Sequence, residues 1–280
     1  MQIQPSSVTP INQRQDNVLW EVDTLGVATL TLNRIDKHNA FDACMIDLMI
    51  QRLDYLALRT DVRCLVIRAN GKHFSAGADL NWMRSMVNSS KQQNLDDAQN
   101  LARLMHTLDN FPQPTIAIIQ GSAFGGALGL ICCCDIAIAA DNAKFCLSEV
   151  KLGLVPATIG PYVVRAMGNR QARRYMLSAE MMTAKVAEQH GIVHEVHPSD
   201  SVDTALEQLI DTLLLNSPDA MRKAKTLCQQ CHQAPIDGQL IHYTSQLIAD
   251  IRVSPQGQDG LYAFLEKRTP SWVVKKTKDT

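Results

Sequence analysis

The sequence predicts an α/β fold that ends in a helical carboxyl-terminal part, and three observations support this prediction. The chain has 280 residues, of which 46% are hydrophobic and 20% charged, a composition typical of a well-packed globular protein. Up to about residue 200, short β-branched runs alternate with helical segments, which indicates parallel strands joined by right-handed crossovers. From about residue 158 onward helical segments dominate, and after about residue 200 they form the carboxyl-terminal part.

The first predicted element is a β-hairpin over residues 18–32. Two runs, VLWEV and VATLTL, are rich in β-branched and aromatic residues, and DTLG between them supplies a glycine turn. Further strands are expected over 62–69, 115–120 and 135–140. A glycine-rich turn and an apolar helix separate the last two, which is the order of elements in a parallel sheet.

Helical segments alternate with these strands. Asp42 stands where an N-cap is expected, and the helix that it begins runs to about residue 60. The apolar residues of this helix fall on one face: Met45, Leu48, Met49, Leu53 and Leu56. Other helices are expected from about Asp79, over 93–108, after the turn at 121–129, and over 200–215, 219–231 and 240–251.

Charge and hydropathy exclude several classes of partner. There are 27 Lys and Arg residues against 28 Asp and Glu, a net charge of −1, which argues against nucleic acid or an anionic membrane as the main partner. The longest uninterrupted apolar run, 123–134, is too short to span a bilayer. Residues 1–17 are polar and do not resemble a secretory signal.

Cysteine usage points to a reducing compartment. Three of the eight cysteines, Cys132, Cys133 and Cys134, are consecutive within an apolar run. Consecutive cysteines cannot all pair with one another in good disulfide geometry. We therefore expect reduced thiols in the core and a cytoplasmic location.

Two glycine-bearing turns, HFSAGAD (73–79) and GSAFGGALG (121–129), follow predicted strands. Ligands of α/β sheets bind at the carboxyl ends of strands, and small residues let a ligand approach the backbone. Two such turns side by side could supply two N–H donors to one oxygen, as in an oxyanion hole. Tight helix–strand packing is the alternative role for these glycines. A dinucleotide fingerprint is not matched, since Phe124 stands where its first glycine belongs.

One carboxylate and one histidine cluster are further candidates. Glu149 lies in FCLSEV, between apolar residues, where burial would raise its pKa toward values useful for acid–base catalysis. The alternative is an exposed glutamate paired with Lys144 or Lys151. The histidines of HGIVHEVH (190–197) favour a turn leading into a strand over a metal site, because Gly191 interrupts any helix that would align them. No metal is expected.

Eight segments, taken in order, resemble the crotonase, or enoyl-CoA hydratase/isomerase, family. They are LNR (32–34) with KHNA (37–40), HFSAGADL (73–80), GSAFGGALGL (121–130) with CD (134–135), KFCLSEVKLGLVP (144–156), GIVHEV (191–196) and FLEKR (264–268). The likeness covers about residues 18–270. The segments DLNWM (79–83) and FGGALGL (124–130) resemble those of the methylglutaconyl-CoA hydratase branch, which acts in leucine degradation.

The resemblance implies a fold and an assembly. The fold is a spiral of ββα units, with residues 1–200 as the core that holds the acyl-CoA site. Residues 201–280 would form a helical region that builds a homotrimer, or a hexamer made of two trimers. No cofactor is implied beyond the coenzyme A of the acyl-CoA thioester substrate.

The resemblance also implies roles for particular residues. The backbone N–H groups of Ala78 and Gly126 would hold the thioester oxygen, and Glu149 matches the second catalytic glutamate of the family. Contacts to the substrate or to coenzyme A are expected from Arg34, Lys37, Ser75, Ala76, Asp79, Leu80, Trp82, Gly125 and, from a neighbouring subunit, Lys267.

Two departures from the family pattern bear on the reaction. Gly129 stands where many hydratases of the family carry their first catalytic glutamate, and ATIGP (157–161) replaces a run of glycines. We still expect hydration of a 2-enoyl-CoA thioester through one glutamate, with 3-methylglutaconyl-CoA or a related branched acyl-CoA among the candidate substrates. A Δ3–Δ2 enoyl-CoA isomerase and a non-catalytic acyl-CoA-binding protein are the alternatives.

Overall fold

A computed structural model describes residues 16–274, so most of the polar segment 1–17 lies outside the described residues. The strands are β1 (Val18–Val22), β2 (Val27–Leu32), β3 (Cys64–Ala69), β4 (Thr115–Ile119), β5 (Ser122–Phe124), β6 (Ile136–Ala140), β7 (Lys144–Cys146), β8 (Met182–Thr183) and β9 (Glu195–His197). The helices are α1 (Ala43–Ala57), α2 (Leu80–Val87), α3 (Lys91–Asp109), α4 (Gly126–Cys133), α5 (Gly160–Met167), α6 (Asn169–Ser178), α7 (Ala184–Gln189), α8 (Val202–Leu214), α9 (Pro218–Cys231), α10 (Gly238–Val253) and α11 (Pro255–Leu265).

The main sheet has six strands in the order β1-β2-β3-β4-β6-β9. The β1–β2 pair is the predicted antiparallel hairpin, with Val22 opposite Ala28. All other neighbours in this sheet are parallel, as the alternation of strands and helices predicts. The carboxyl ends of β3 and β4 therefore lie at the same edge, where both glycine-bearing turns begin.

A second sheet was not foreseen from the sequence. It has three strands in the order β5-β7-β8, and β5 lies within the segment 121–129 that we expected to be a turn leading to a helix. That expectation was wrong for the three residues of β5. Their strand conformation depends on pairing with β7, where Ser122 is opposite Lys144, and a segment this short carries no readable hydrophobic period.

Helices cover both faces of the main sheet. One face belongs to the large core that includes the buried sides of α1, α3 and α4. The other face contributes Val27, Val66 and Ile116 to a smaller core, which α8 closes with Val202 and Leu206. The first helix after residue 200 thus shares the interior of the sheet, whereas in α9–α11 only Ala263 is buried.

The three consecutive cysteines lie in the core, as predicted. Cys132, Cys133 and Cys134 are buried at the end of α4. Burial raises the pKa of the Cys132 thiol to about 12, so the group stays protonated near neutral pH. All eight cysteines are free. No helix within residues 16–274 is long and apolar enough to cross a membrane.

Candidate active site

The two glycine-bearing turns lie side by side. Ser75 forms a parallel bridge with Ala123 of β5. Its N–H donates to the carbonyl of Ser122 at 3.0 Å, and its own carbonyl accepts from the N–H of Phe124 at 3.1 Å. The short strand β5 therefore joins the two turns by backbone hydrogen bonds, immediately before α4 begins.

Each turn presents one backbone N–H group at its end. Phe41 donates to the carbonyl of Gly77 at 2.7 Å, and Asp79 donates to the carbonyl of Phe41 at 2.8 Å, a pattern that does not use the N–H of Ala78. Gly126 is the first residue of α4, and an N–H in the first turn of a helix has no intrahelical acceptor. Ala78 and Gly126 both line one cavity of about 340 Å³.

Gly125 lets a carboxylate lie close to the start of α4. Its backbone has φ 53° and ψ −122°, a conformation that is strained for any residue with a side chain. A Cβ placed there would lie 3.2 Å from Oε1 of Glu149. The glycine thus lets the Glu149 carboxylate lie directly against the backbone that leads into Gly126.

Glu149 is half-buried in the wall of the same cavity. It begins a short 3₁₀ turn, Glu149–Leu152, soon after β7. Its Oε2 is buried and makes no hydrogen bond to any residue in 16–274, and burial raises the pKa of the carboxyl. Neither Lys144 nor Lys151 forms an ion pair with it among the described residues, in contrast to the exposed, paired alternative.

Comparison with known proteins identifies the family. A family model described as enoyl-CoA hydratase/isomerase matches residues 23–275. The chain belongs to the enoyl-CoA hydratase/isomerase family. It is therefore an enzyme of this class by family, and the α/β architecture predicted from the sequence is that of its structural neighbours.

Relatives within the enoyl-CoA hydratase/isomerase family include both reaction types. The 2,3-dehydroadipyl-CoA hydratase of Escherichia coli K12 is 33% identical over 88% of this chain and 94% of its own length. The trans-2-decenoyl-[acyl-carrier-protein] isomerase of Streptococcus mutans is 28% identical over 92% of this chain and 98% of its own.

Solved structures of family members superpose closely. An enoyl-CoA hydratase from Shewanella pealeana has a TM-score of 0.90 and 53% identity, covering 93% of this chain and 97% of that one. An enoyl-CoA hydratase/isomerase from Marinobacter aquaeolei has a TM-score of 0.86 and 30% identity, covering 92% and 99%.

The structure links the two departures from the family pattern. A Cβ at Gly129 would lie 2.3 Å from Cγ2 of Ile159 and 2.9 Å from Sδ of Met105. Ile159 belongs to the segment 157–161 that replaces the glycine run. Ile159 and Met105 fill the space beside Gly129, so a side chain at position 129 would require these neighbours to shift.

Six of the twelve predicted site residues line the cavity: Ala76, Ala78, Trp82, Gly125, Gly126 and Glu149. The other six lie outside its wall: Arg34, Lys37, Ser75, Asp79, Leu80 and Lys267. Of these, the side chains of Lys37, Leu80 and Lys267 are exposed. The coenzyme A contacts assigned to the outer six remain predictions.

Ser75, Asp79 and Arg34 hold the first turn in place. The Ser75 hydroxyl donates to the carbonyl of Asn39 at 2.7 Å and accepts from the N–H of Gly77. Asp79 caps α2 and pairs with Arg34 at 3.2 Å. Burial opposes ionisation of Asp79, but backbone N–H donors and the Arg34 charge outweigh it, so the pKa of this carboxyl is lowered.

The cavity wall also includes residues for which the sequence predicted no role of their own, among them Ile159 and Asp97. Asp97 accepts a hydrogen bond from the indole Nε1 of Trp82 at 3.0 Å. The available signal was its position in α3, since Asp97 precedes Leu101, Leu104 and Leu108 on the apolar stripe of that helix. A carboxylate on such a stripe indicates a group with a specific partner.

Proposed function

We propose that this protein adds water across the double bond of a 2-enoyl-CoA thioester. The observation that carries the proposal is one cavity wall that combines the N–H groups of Ala78 and Gly126 with the half-buried carboxylate of Glu149. Addition to Cβ places enolate charge on the thioester oxygen. The two N–H donors stabilise that charge, and loss of one such donor typically costs about 2.7–4 kcal/mol.

A single carboxylate can complete this reaction. Ionised Glu149 takes a proton from water, the oxygen bonds to Cβ, and the electron pair of the double bond moves onto the thioester enolate. Protonated Glu149 then returns the proton to Cα on the same face, which restores the carbonyl and the carboxylate. Ile159 supports this one-carboxylate scheme because it fills the space at Gly129.

The test is the substitution Glu149→Gln, which keeps the size of the side chain and removes its basicity. We expect turnover of the preferred enoyl-CoA to fall by roughly 10²–10⁴-fold, the usual contribution of an acid–base group, with little change in acyl-CoA binding. Glu207→Gln, at an exposed glutamate on α8, is the matched control. Activity of the Glu149 variant within a few-fold of wild type would remove this residue from the mechanism.

Δ3–Δ2 isomerisation is a second candidate, because one carboxylate can also move a proton between two carbons without water. The trans-2-decenoyl-[acyl-carrier-protein] isomerase among the relatives supports isomerisation as a candidate reaction. Mass spectrometry separates the two reactions, since hydration raises the product mass by one water and isomerisation leaves it unchanged. Binding of acyl-CoA without turnover of any enoyl-CoA would support the third candidate, a non-catalytic acyl-CoA-binding protein.

The acyl chain is proposed to be short or branched, with 3-methylglutaconyl-CoA, an intermediate of leucine degradation, among the candidates. The relative from Escherichia coli, a 2,3-dehydroadipyl-CoA hydratase, supports testing dicarboxylic thioesters as well. A panel of enoyl-CoA thioesters assayed for hydration decides between them. Coenzyme A is bound as part of the substrate, with Arg34, Lys37 and, from a neighbouring subunit, Lys267 as proposed phosphate contacts.

A homotrimer, or a hexamer of two trimers, is the proposed assembly. Large apolar side chains are exposed along α10 and α11: Ile241, Ile248, Val253, Leu261, Phe264 and Leu265. Exposed apolar surface of this extent is typical of subunit interfaces. The free thiols support the cytoplasm as the proposed compartment.

A further inference from the structure

Helix α2 forms part of the cavity wall but has few anchors. It contributes Trp82, Met83 and Met86 to the wall, and none of its residues is buried. Its start is fixed by the Asp79 cap, so the rest of the helix depends on contacts with α3. Trp82 is the residue of α2 that packs, partly buried, against the large core, so the position of α2 depends on this one side chain and its contacts.

The hydrogen bond from Trp82 to Asp97 is the strongest of these contacts. The indole Nε1 lies 3.0 Å from Oδ1 of Asp97. A second hydrogen bond lies near the end of α2, where the Asn94 amide Nδ2 is 3.5 Å from the carbonyl oxygen of Met86. Hydrogen bonds to a carboxylate are stronger than those between neutral groups, and their strength grows in a partly apolar site.

Asp97 has no other partner that would account for its position. No cation pairs with it in the described part of the chain. Of the other α3 residues in the wall, Ala98 and Leu101 are apolar, and Asn94 donates to backbone carbonyls at the end of α2 and beyond. Burial raises the pKa of Asp97, while the bond from Trp82 opposes that rise. A half-buried carboxylate on an apolar stripe is costly, so the indole contact is the described interaction that offsets this cost.

We propose that the Trp82–Asp97 hydrogen bond fixes the indole ring and the separation of α2 from α3, and thereby restricts the cavity to short acyl chains. Trp82 is then a specificity-determining residue, and Asp97 is a positioning residue that acts through it. This inference rests on the proposed function, because it names the substrate class of the same cavity. Without the bond, α2 can move outward at little cost and admit longer chains.

The experiment compares kcat/KM for crotonyl-CoA with kcat/KM for trans-2-decenoyl-CoA in Trp82→Phe, Asp97→Leu and the double variant. We expect wild type to prefer the short thioester. Each single change should reduce that preference about tenfold, the equivalent of one such hydrogen bond, mainly through a lower KM for the long thioester. The preference for the short thioester should fall no further in the double variant than in either single variant, because each single change already removes the same hydrogen bond.

Two further variants separate positioning from general structural damage. Asp97→Asn keeps an oxygen acceptor for the indole and should retain the preference within about threefold, whereas Asp96→Asn, at the exposed neighbour on α3, should not alter it. Trp82→Phe keeps a smaller aromatic ring and removes the N–H donor, so it tests the bond even if Asp97→Leu unfolds. An unchanged preference in Trp82→Phe, or additive losses in the double variant, would overturn the proposal.

Binding measurements keep this test independent of the reaction. Isothermal titration of butyryl-CoA and decanoyl-CoA reports the same preference without turnover. If wild type hydrates no enoyl-CoA but binds the short thioester more tightly, and Trp82→Phe abolishes that difference, the proposed function fails and the cavity restriction stands. Equal binding of both thioesters by wild type would overturn the restriction whatever the enzyme catalyses.

Discussion

At the scale of single residues, Glu149 couples function to stability. Its Oε2 is buried without a protein partner, and burial raises the pKa of the carboxyl above the ordinary 4.5. The folded state therefore favours the protonated carboxyl relative to the unfolded state. The free energy of unfolding should decrease as pH rises from the ordinary pKa through the raised one, since the folded state then loses its extra proton.

The same pKa shift makes a prediction about the Glu149→Gln variant. Glutamine cannot ionise, so the variant should be more stable than wild type at pH 7.5, and this difference should shrink at pH 4. Urea denaturation at both pH values measures it, with Glu207→Gln as the control. A stability difference that is the same at both pH values would show that burial of the charge is not its cause.

Gly129 and Ile159 make a second prediction at this scale. Alanine at position 129 would place its Cβ 2.3 Å from Cγ2 of Ile159, and overpacking of a core typically costs about 1–3 kcal/mol. Ile159→Ala removes that atom, so the double variant should lose less stability than the sum of the single variants. Chemical denaturation of the four proteins measures the coupling. Additive losses would mean that the contact is relieved in another way.

At the scale of elements, Arg34 connects the starts of two helices. Its guanidinium pairs with Asp42 at 3.0 Å and with Asp79 at 3.2 Å, and these two aspartates are the N-caps of α1 and α2. The Arg34 side chain is 16% exposed. The contacts therefore support a structural role for the arginine beside its proposed place near coenzyme A.

Replacement of Arg34 tests this connection. Arg34→Leu leaves two carboxylates without their cation and should lower the free energy of unfolding by about 3 kcal/mol, as expected for a broken, mostly buried pair. The control is Arg68→Leu, which breaks the exposed pair with Asp203 and should cost no more than about 1 kcal/mol. Equal losses in the two variants would contradict the structural role of Arg34.

What the sequence predicts well at this scale is local. The cap of α1, the start of α2 near Asp79, the hairpin and the parallel strands follow from residue type and spacing, and all are present. Strand β5 could not be predicted, because three residues become a strand only through pairing with β7. The roles of Ile159 and Asp97 could not be predicted for the same reason. Each role depends on a residue distant in the sequence, Gly129 for Ile159 and Trp82 for Asp97.

At the scale of the whole molecule, the carboxyl-terminal helices α10 and α11 expose several large apolar side chains to solvent in the monomer. Phe264 on α11 is 83% exposed. If this surface forms the proposed trimer contact, Phe264→Glu should lower the mass measured by light scattering toward that of a monomer. Leu58→Glu, at an 85% exposed leucine after α1, is the control and should keep the wild-type mass. An unchanged mass for the Phe264 variant would place the interface elsewhere.

The shared space of Gly129 and Ile159 also constrains how such a protein can change over generations. A carboxylate that arrived at position 129 first would be forced into an occupied volume, without water to solvate it. A carboxylate at position 129 therefore requires room from two neighbours, Ile159 and Met105. A smaller residue at position 159 would supply part of that room, at the cost of a void until the carboxylate fills it.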